Sequence, residues 1–230
     1  MKKKVISAIL CGAMVLGTVC PVLAADDKSE DTKTEAAAGD SAKGKKIALV
    51  GKAAGNAFFE IAAKSFQETV EAEGGEVQVV YPETATADAQ IKVLDNLISQ
   101  DFDAICISAN DVNALQAKLE EAMDEGIKVS SFDSAPNKDS REIFVNQAGT
   151  KEVAQALMDA VLDISGGEGQ FAILSATSQS ANQNAWIDAM KTIMEGDDKY
   201  SKLELVDVVY GDDIPHHRLT AAFSHLPQKS

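Results

Sequence analysis

The side chains of this chain that could do chemistry fall just behind short apolar, β-branched runs. They are Gly51-Lys52, Pro82-Glu83, Asn110-Asp111, Asp133-Ser134, Asn146-Gln147 and the polar stretch 178–186. Sugar hydroxyls both donate and accept, so a site for them needs carboxylates and amides that fan hydrogen bonds outward, beside aromatic faces for the C–H surface of the ring. Asp111, Asp133, Asn182, Gln183 and Phe58 supply those types. Each also has a structural alternative, because Asn and Asp behind strands are ordinary turn and N-cap residues. Asp111 stands directly before the helix-period run 112–123, so cap and ligand contact are balanced there. No helical pattern follows Asp133 immediately, which favours ligand contact over an Asx turn. Phe58 and Phe59 are neighbours and cannot face the same way on a helix. Phe59 shares a stripe with Ala62 and Phe66, which leaves Phe58 for a cleft or for solvent. Trp186, the only tryptophan, sits on an apolar helical stripe that suits a core position, and it is also a candidate platform for a ring.

Catalytic patterns fare worse. No G-x-x-x-x-G-K-S/T phosphate loop occurs, and Gly51-Lys52-Ala53-Ala54-Gly55 carries its lysine at the wrong end of the glycine pair. Gly166-Gly167-Glu168-Gly169 precedes a strand pattern where a dinucleotide fingerprint would follow one, so it reads as a helix-to-strand turn. His216, His217 and His225 all lie beyond the last recognisable element, so no metal or acid–base constellation can be placed in the domain and neither cofactor nor catalysis is expected. Cys106, in Ala104-Ile105-Cys106-Ile107, reads as a small buried hydrophobe with no histidine to activate it.

The elements that must position the polar groups alternate. Strand patterns occupy 47–50, 77–81, 104–108, 127–132, 143–146, 171–174 and 203–210. Between them, apolar residues recur at helical spacing: Phe59, Ala62, Phe66 and Val70; Ile91, Leu94 and Ile98; Val112, Leu115, Leu119 and Met123; Val153, Leu157, Val161 and Ile164; Trp186, Met190 and Ile193. Such a β-α-β chain is an α/β protein with parallel sheets flanked by helices, and right-handed crossovers leave its loops at the strands' carboxyl ends, where ligands gather. Two lobes are expected, 46–148 and 149–213, the second with only two clear strands before the pattern stops.

Ahead of them, Met1-Lys2-Lys3-Lys4 and an uncharged run to Ala25 form a signal-peptide pattern, with Val22 and Ala24 marking cleavage after residue 24. Leu10 and Val19 precede Cys11 and Cys20, which does not support a lipid-modified cysteine. Residues 25–45 are polar with no aliphatic group larger than alanine, an acidic disordered linker. Without residues 1–24 the net charge of −15 deepens to −18 and one cysteine remains. Nucleic acid and anionic bilayers are therefore poor partners, while a neutral ligand is indifferent to that charge.

Five stretches together resemble a known family: 52–59 (Lys-Ala-Ala-Gly-Asn-Ala-Phe-Phe), 108–111 (Ser-Ala-Asn-Asp), 132–134 (Phe-Asp-Ser), 144–148 (Phe-Val-Asn-Gln-Ala) and 182–186 (Asn-Gln-Asn-Ala-Trp). They are similar to the type I periplasmic solute-binding proteins of the ribose-binding class, in the branch that binds rhamnose or autoinducer-2. The resemblance runs from about residue 46 to 213. It implies a two-lobed fold closing by a hinge around one sugar, with no catalysis. It also implies an exported monomer in the periplasm or at the cell surface, and delivery to a membrane permease driven by an ATPase. It implies ligand contacts from Lys52 and Asp133 and from the pair Asn182-Gln183, with Asn56, Phe58, Asp111, Asn146, Gln147 and Trp186 as further candidates. Autoinducer-2 proteins carry an Asp-Gln pair where this chain has Asn182-Gln183, and the lost charge shifts the expectation toward a neutral deoxysugar such as rhamnose. Autoinducer-2 uptake, a sugar-sensing role and a fragment without function are the alternatives. A sugar-responsive repressor would begin with a basic helix-turn-helix, unlike this chain.

Residues 214–230 contain no acid and all three histidines, in a chain of 36 acids. They are expected to lie outside the family fold, as the tail of a truncated or frame-shifted product. Its second lobe would be incomplete, with apolar stripes near Leu157 and Trp186 exposed. Resequencing the gene tests this, and an uninterrupted frame to Ser230 together with micromolar sugar binding would overturn it.

Overall fold

The order of the strands decides where a ligand can sit. In the computed structural model, which describes residues 41–212, five parallel strands form one sheet in the order β2-β1-β3-β4-β5. They are β1 (Lys46–Val50), β2 (Glu76–Val80), β3 (Ala104–Ile107), β4 (Lys128–Phe132) and β5 (Ile143–Val145). A second, two-stranded parallel sheet pairs β6 (Gly169–Ser175) with β7 (Leu203–Tyr210). Five helices connect them: α1 (Ala57–Ala72), α2 (Ala87–Ile98), α3 (Gln116–Asp124), α4 (Thr150–Ser165) and α5 (Ala181–Gly196). The signal-peptide and tail expectations, and most of the linker, lie outside the described residues.

Alternation along the strands sorts the first sheet into two faces. Ala48 and Val50 of β1, Ile105 and Ile107 of β3 and Val129 of β4 are buried against Ala87, Leu94 and Leu97 of α2 and Leu119 and Ala122 of α3. The intervening Leu49 and Cys106 turn to the other face and meet Ala63 and Phe66 of α1. Helices therefore cover both faces, as right-handed crossovers require. Burial in this apolar layer pushes the Cys106 thiol above its ordinary pKa. Against the second sheet, α4 and α5 pack Ala154, Met158 and Met190 onto Phe171, Ile173 and Leu203.

All seven strands lie within two residues of the sequence expectation. The helices differ more. α3 begins at Gln116, since residues 112–115 form turns, and Val112 is exposed instead of heading the stripe. On α4 the buried residues are Ala154 and Met158, while Leu157 and Ile164 are exposed, Ile164 at 87%. Two apolar stripes run along this helix one residue out of phase, and the one beginning at the small Ala154 is the one that faces α5. On α5 the buried stripe is Ile187 and Met190, with Trp186 only partly covered. Between β4 and β5 only a 3-10 turn, Lys138–Ser140, stands in place of a helix.

Leu94 is fully buried at the centre of the first sheet's larger core. Leu94→Ala should lower the unfolding free energy by about 3 kcal/mol, seen as a lower urea midpoint at unchanged slope. Ile164→Ala, on the exposed side of α4, should change it by less than about 0.5 kcal/mol.

Candidate functional site

The carboxyl ends of β1, β3 and β4 bring together a lysine and an aspartate that would be costly to bury apart. Lys52 follows β1 by one residue and is 3% exposed; Asp133 follows β4 and is 9% exposed. Lys52 Nζ lies 3.7 Å from Asp133 Oδ2. Asp133 takes a left-handed backbone, φ 59°, a conformation that Asp and Asn tolerate better than other side-chain-bearing residues. That turn lets its N–H reach Val145 O on β5 at 3.2 Å while the carboxylate points across the strand ends.

Three further groups satisfy the carboxylate. Ser108 Oγ, behind β3, donates to Oδ2 at 2.7 Å. Gln147 Nε2, behind β5, donates to Oδ1 at 3.0 Å. Asn182 Nδ2, from the first turn of α5, also donates to Oδ1 at 3.0 Å. The same Asn182 accepts from Lys52 Nζ through Oδ1 at 3.1 Å. One amide thus bridges both charges, linking the loops of the first sheet to the helix between the strands of the second.

Lys52, Asp133, Gln147 and Asn182 are thereby brought together. Gln183 adjoins them but turns to its own sheet, its Oε1 accepting from Ser175 Oγ and from Ala176 N, both at 2.7 Å. Asn56 is the N-cap of α1, its Oδ1 accepting from Phe58 N at 3.0 Å, and Phe58 is 46% exposed, edge-on to Phe59. Asp111 Oδ1 accepts from Asn113 N and Ala114 N, both at 2.8 Å, so its carboxylate is used as a turn cap ahead of α3. Asn146 is exposed at the end of β5. Trp186 lines a cavity of about 260 Å³ with Leu157, Ile173 and Met190, and with Ser175 and Gln183.

Ser108 and Ser134 stand in the stretches quoted from the sequence but not among its candidate ligand contacts. Small hydroxyls behind strands carry no pattern of their own, so adjacency to Asp133 is the one sequence signal for Ser134. A cavity of about 630 Å³, lined by none of Lys52, Asp133, Gln147 and Asn182, opens between Ala53-Ala54-Gly55 and Glu83–Thr86 on one side and Thr177–Gln179 with Tyr210 on the other. Another, of about 550 Å³, lies at the amino ends of the strands around Phe102, Asp103 and Lys128. Parallel sheets gather ligands at the carboxyl ends, which gives the first cavity the functional argument.

Ser134 Oγ is fully buried and has no hydrogen-bond partner. An unsatisfied buried hydroxyl costs about 1–3 kcal/mol. Ser134→Ala should therefore leave stability unchanged or raise it by up to about 1 kcal/mol, as urea titration would show; a loss larger than that would mean the hydroxyl has a partner in solution.

A family model described as a periplasmic binding protein domain matches residues 47–227, running past Asp213. An ABC transporter solute-binding protein from Clostridium phytofermentas, solved with bound L-rhamnose, is 49% identical with a TM-score of 0.77, over 81% of this chain and 59% of its own. A sugar ABC transporter protein from Actinomyces odontolyticus is 34% identical with a TM-score of 0.60, over 82% of this chain and 61% of its own. LsrB from Clostridium saccharobutylicum, in complex with AI-2, is 25% identical with a TM-score of 0.73, over 79% of this chain and 58% of its own. The chain thus spans about three-fifths of the length of the solved proteins it matches. On the family match and on the α/β architecture that carries it, this chain belongs to the periplasmic binding protein family.

Proposed function

We propose that this protein captures a neutral monosaccharide of the rhamnose type outside the cytoplasm and delivers it, unchanged, to an ABC permease in the membrane. The observation that carries this reading is the Lys52–Asn182–Asp133 bridge, in which opposite charges neutralise each other and both sheets contribute. A ligand entering there meets donors and acceptors with no net charge. That suits hydroxyls, each of which can donate to Asp133 and accept from Lys52. An anionic ligand would find no surplus cation and would approach a chain of net charge −15. The solved relative with bound L-rhamnose supports the choice of sugar.

Delivery without chemistry fits the side chains. Cys106 is buried with its thiol pKa raised, so little thiolate is available, and the described residues contain no histidine to act as a base. Among the described residues no helix is long and apolar enough to cross a membrane. The autoinducer-2 reading draws on Lys52 and Asp133 and on the AI-2-bound relative. It is weakened by Asn182, which offers an amide where a carboxylate is expected for that ligand.

Calorimetric titration of residues 25–230 with L-rhamnose, and separately with autoinducer-2, tests the proposal. L-rhamnose should bind saturably, and Asp133→Asn, which tolerates the left-handed backbone, should weaken it by about tenfold or more, the worth of one charge-assisted hydrogen bond. Tighter binding of autoinducer-2, or equal rhamnose affinity in the variant, would overturn the reading.

A further inference from the structure

Gln90 is polar, yet it is fully buried in the middle of the apolar face of α2. Its neighbours on that face, Ala87, Leu94 and Leu97, pack in the core, and a glutamine among them needs a reason. Its head group supplies one. Nε2 donates to Gly51 O at 3.1 Å and to Ser108 O at 2.8 Å, while Oε1 accepts from Asn110 N at 2.8 Å. All three hydrogen-bonding groups of one carboxamide face are thus used on backbone just beyond the ends of β1 and β3.

That place is where the sheet's connections part. From β1 the chain turns toward β2, and from β3 it turns the other way toward β4, so the two loops diverge and open a crevice between them. The ladder's last bond there is Ser108 N to Val50 O, at 3.0 Å. Beyond it Gly51 and Ser108 present two carbonyls with no donor between them. The crossover from β2 to β3 carries α2 over β1, and this brings Gln90 to the gap. Asn110 continues the arrangement by donating from Nδ2 to Lys52 O at 3.2 Å. On the far side of Gly51 there is no slack, because a Cβ on this glycine would collide with the Tyr81 ring, itself tied by its hydroxyl to Phe59 O at 3.2 Å.

The geometry points to Gln90 as a positioning residue that sets the separation of the β1 and β3 loops and thereby places Lys52 and the Ser108–Asp133 pair for ligand capture. It touches neither charged group. It acts through Gly51 on Lys52, and through Ser108, whose hydroxyl holds the Asp133 carboxylate. This deepens the capture reading of the same site and rests on it for the ligand, but the placement of Lys52 can be measured without one.

The experiment compares the wild-type protein with Gln90→Met, Gln90→Glu and the control Leu94→Ala. Gln90→Met keeps the length and removes every hydrogen bond. Gln90→Glu keeps the acceptor for Asn110 N and sets an oxygen against the two carbonyls. Leu94→Ala damages the same helix one turn further on. A pulse of acetic anhydride, read by peptide mass spectrometry, reports the accessibility of Lys52 against the exposed Lys64 and Lys151.

Wild-type Lys52 should react at least tenfold more slowly than Lys64. In both Gln90 variants its rate should rise at least fivefold. In Leu94→Ala, despite lower stability, it should stay within twofold of wild type. Protection of Lys52 in the Gln90 variants, or equal exposure in Leu94→Ala, would overturn the inference. Failure of both Gln90 variants to fold would overturn it too, since the residue would then serve the fold of the sheet and not its loops. L-rhamnose affinity, titrated in parallel, should fall at least tenfold in the Gln90 variants. Absence of rhamnose binding by the wild type would count against the capture reading alone and leave the labelling result to decide the role of Gln90.

Discussion

A nearly buried carboxylate at the mouth of a parallel sheet sets the terms for everything around it. Taking Asp133 and Lys52 out of water costs several kcal/mol per ion, returned only if their geometry is good and the remaining lone pairs and protons are satisfied. Asp133 meets that demand with groups from four places: Ser108 behind β3, Gln147 behind β5, Asn182 on α5 and Lys52 behind β1. Removing one charge of such a pair typically costs about 3–5 kcal/mol, far more than the pair itself contributes. The loops that carry these residues are therefore constrained to one arrangement.

The strand order makes the arrangement possible. With β1 between β2 and β3, the loop carrying Lys52 and the loop carrying Ser108 run apart from a common edge. In a sheet wound in one direction those loops would lie side by side and fill the space. The divergence exposes backbone carbonyls, and the fold answers with a side chain from the overlying helix. Core packing and ligand placement meet in α2, where Leu94 and Leu97 hold the helix to the sheet and Gln90 fixes the crevice.

Much of this was legible in the sequence, for physical reasons that also explain what was not. Strands declare themselves by compact β-branched runs bounded by turn residues, and the residues just behind each run, Lys52, Asp133 and Gln147 among them, can then be picked out as candidates. Helix phase is weaker evidence. On α4, Val153-Leu157 and Ala154-Met158 are both acceptable stripes, and only a partner helix chooses between them. Asp111 could cap or bind on sequence grounds, and its two backbone hydrogen bonds show it capping. Gln90 was invisible because a glutamine beside Ile91 reads as the solvent edge of an apolar stripe. Its polar head is satisfied by two carbonyls just beyond strand ends, 39 and 18 residues away in sequence. Trp186 stands out in the sequence as a lone aromatic, and it borders a cavity lined mainly by aliphatic side chains together with Ser175 and Gln183.

The identity of residue 182 connects this architecture to ligand charge. Its amide nitrogen is 3.0 Å from one carboxylate oxygen of Asp133, and its amide oxygen 3.1 Å from the ammonium of Lys52. An aspartate in that position could accept from Lys52 but could not donate to Asp133, and would set a second carboxylate against it. Asparagine removes the conflict, since it donates on one side and accepts on the other. A sugar hydroxyl has the same pair of capacities, so it can replace the amide at either charge with each lost hydrogen bond matched by a new one. Because such exchanges are worth only about 0.5–1.5 kcal/mol net each, the cluster's contribution to affinity depends on how well the hydroxyls of one ring match positions that the loops have already fixed. On the proposed capture of a neutral sugar, discrimination would follow from the spacing of the loops, and total charge would decide only which class of ligand is admitted.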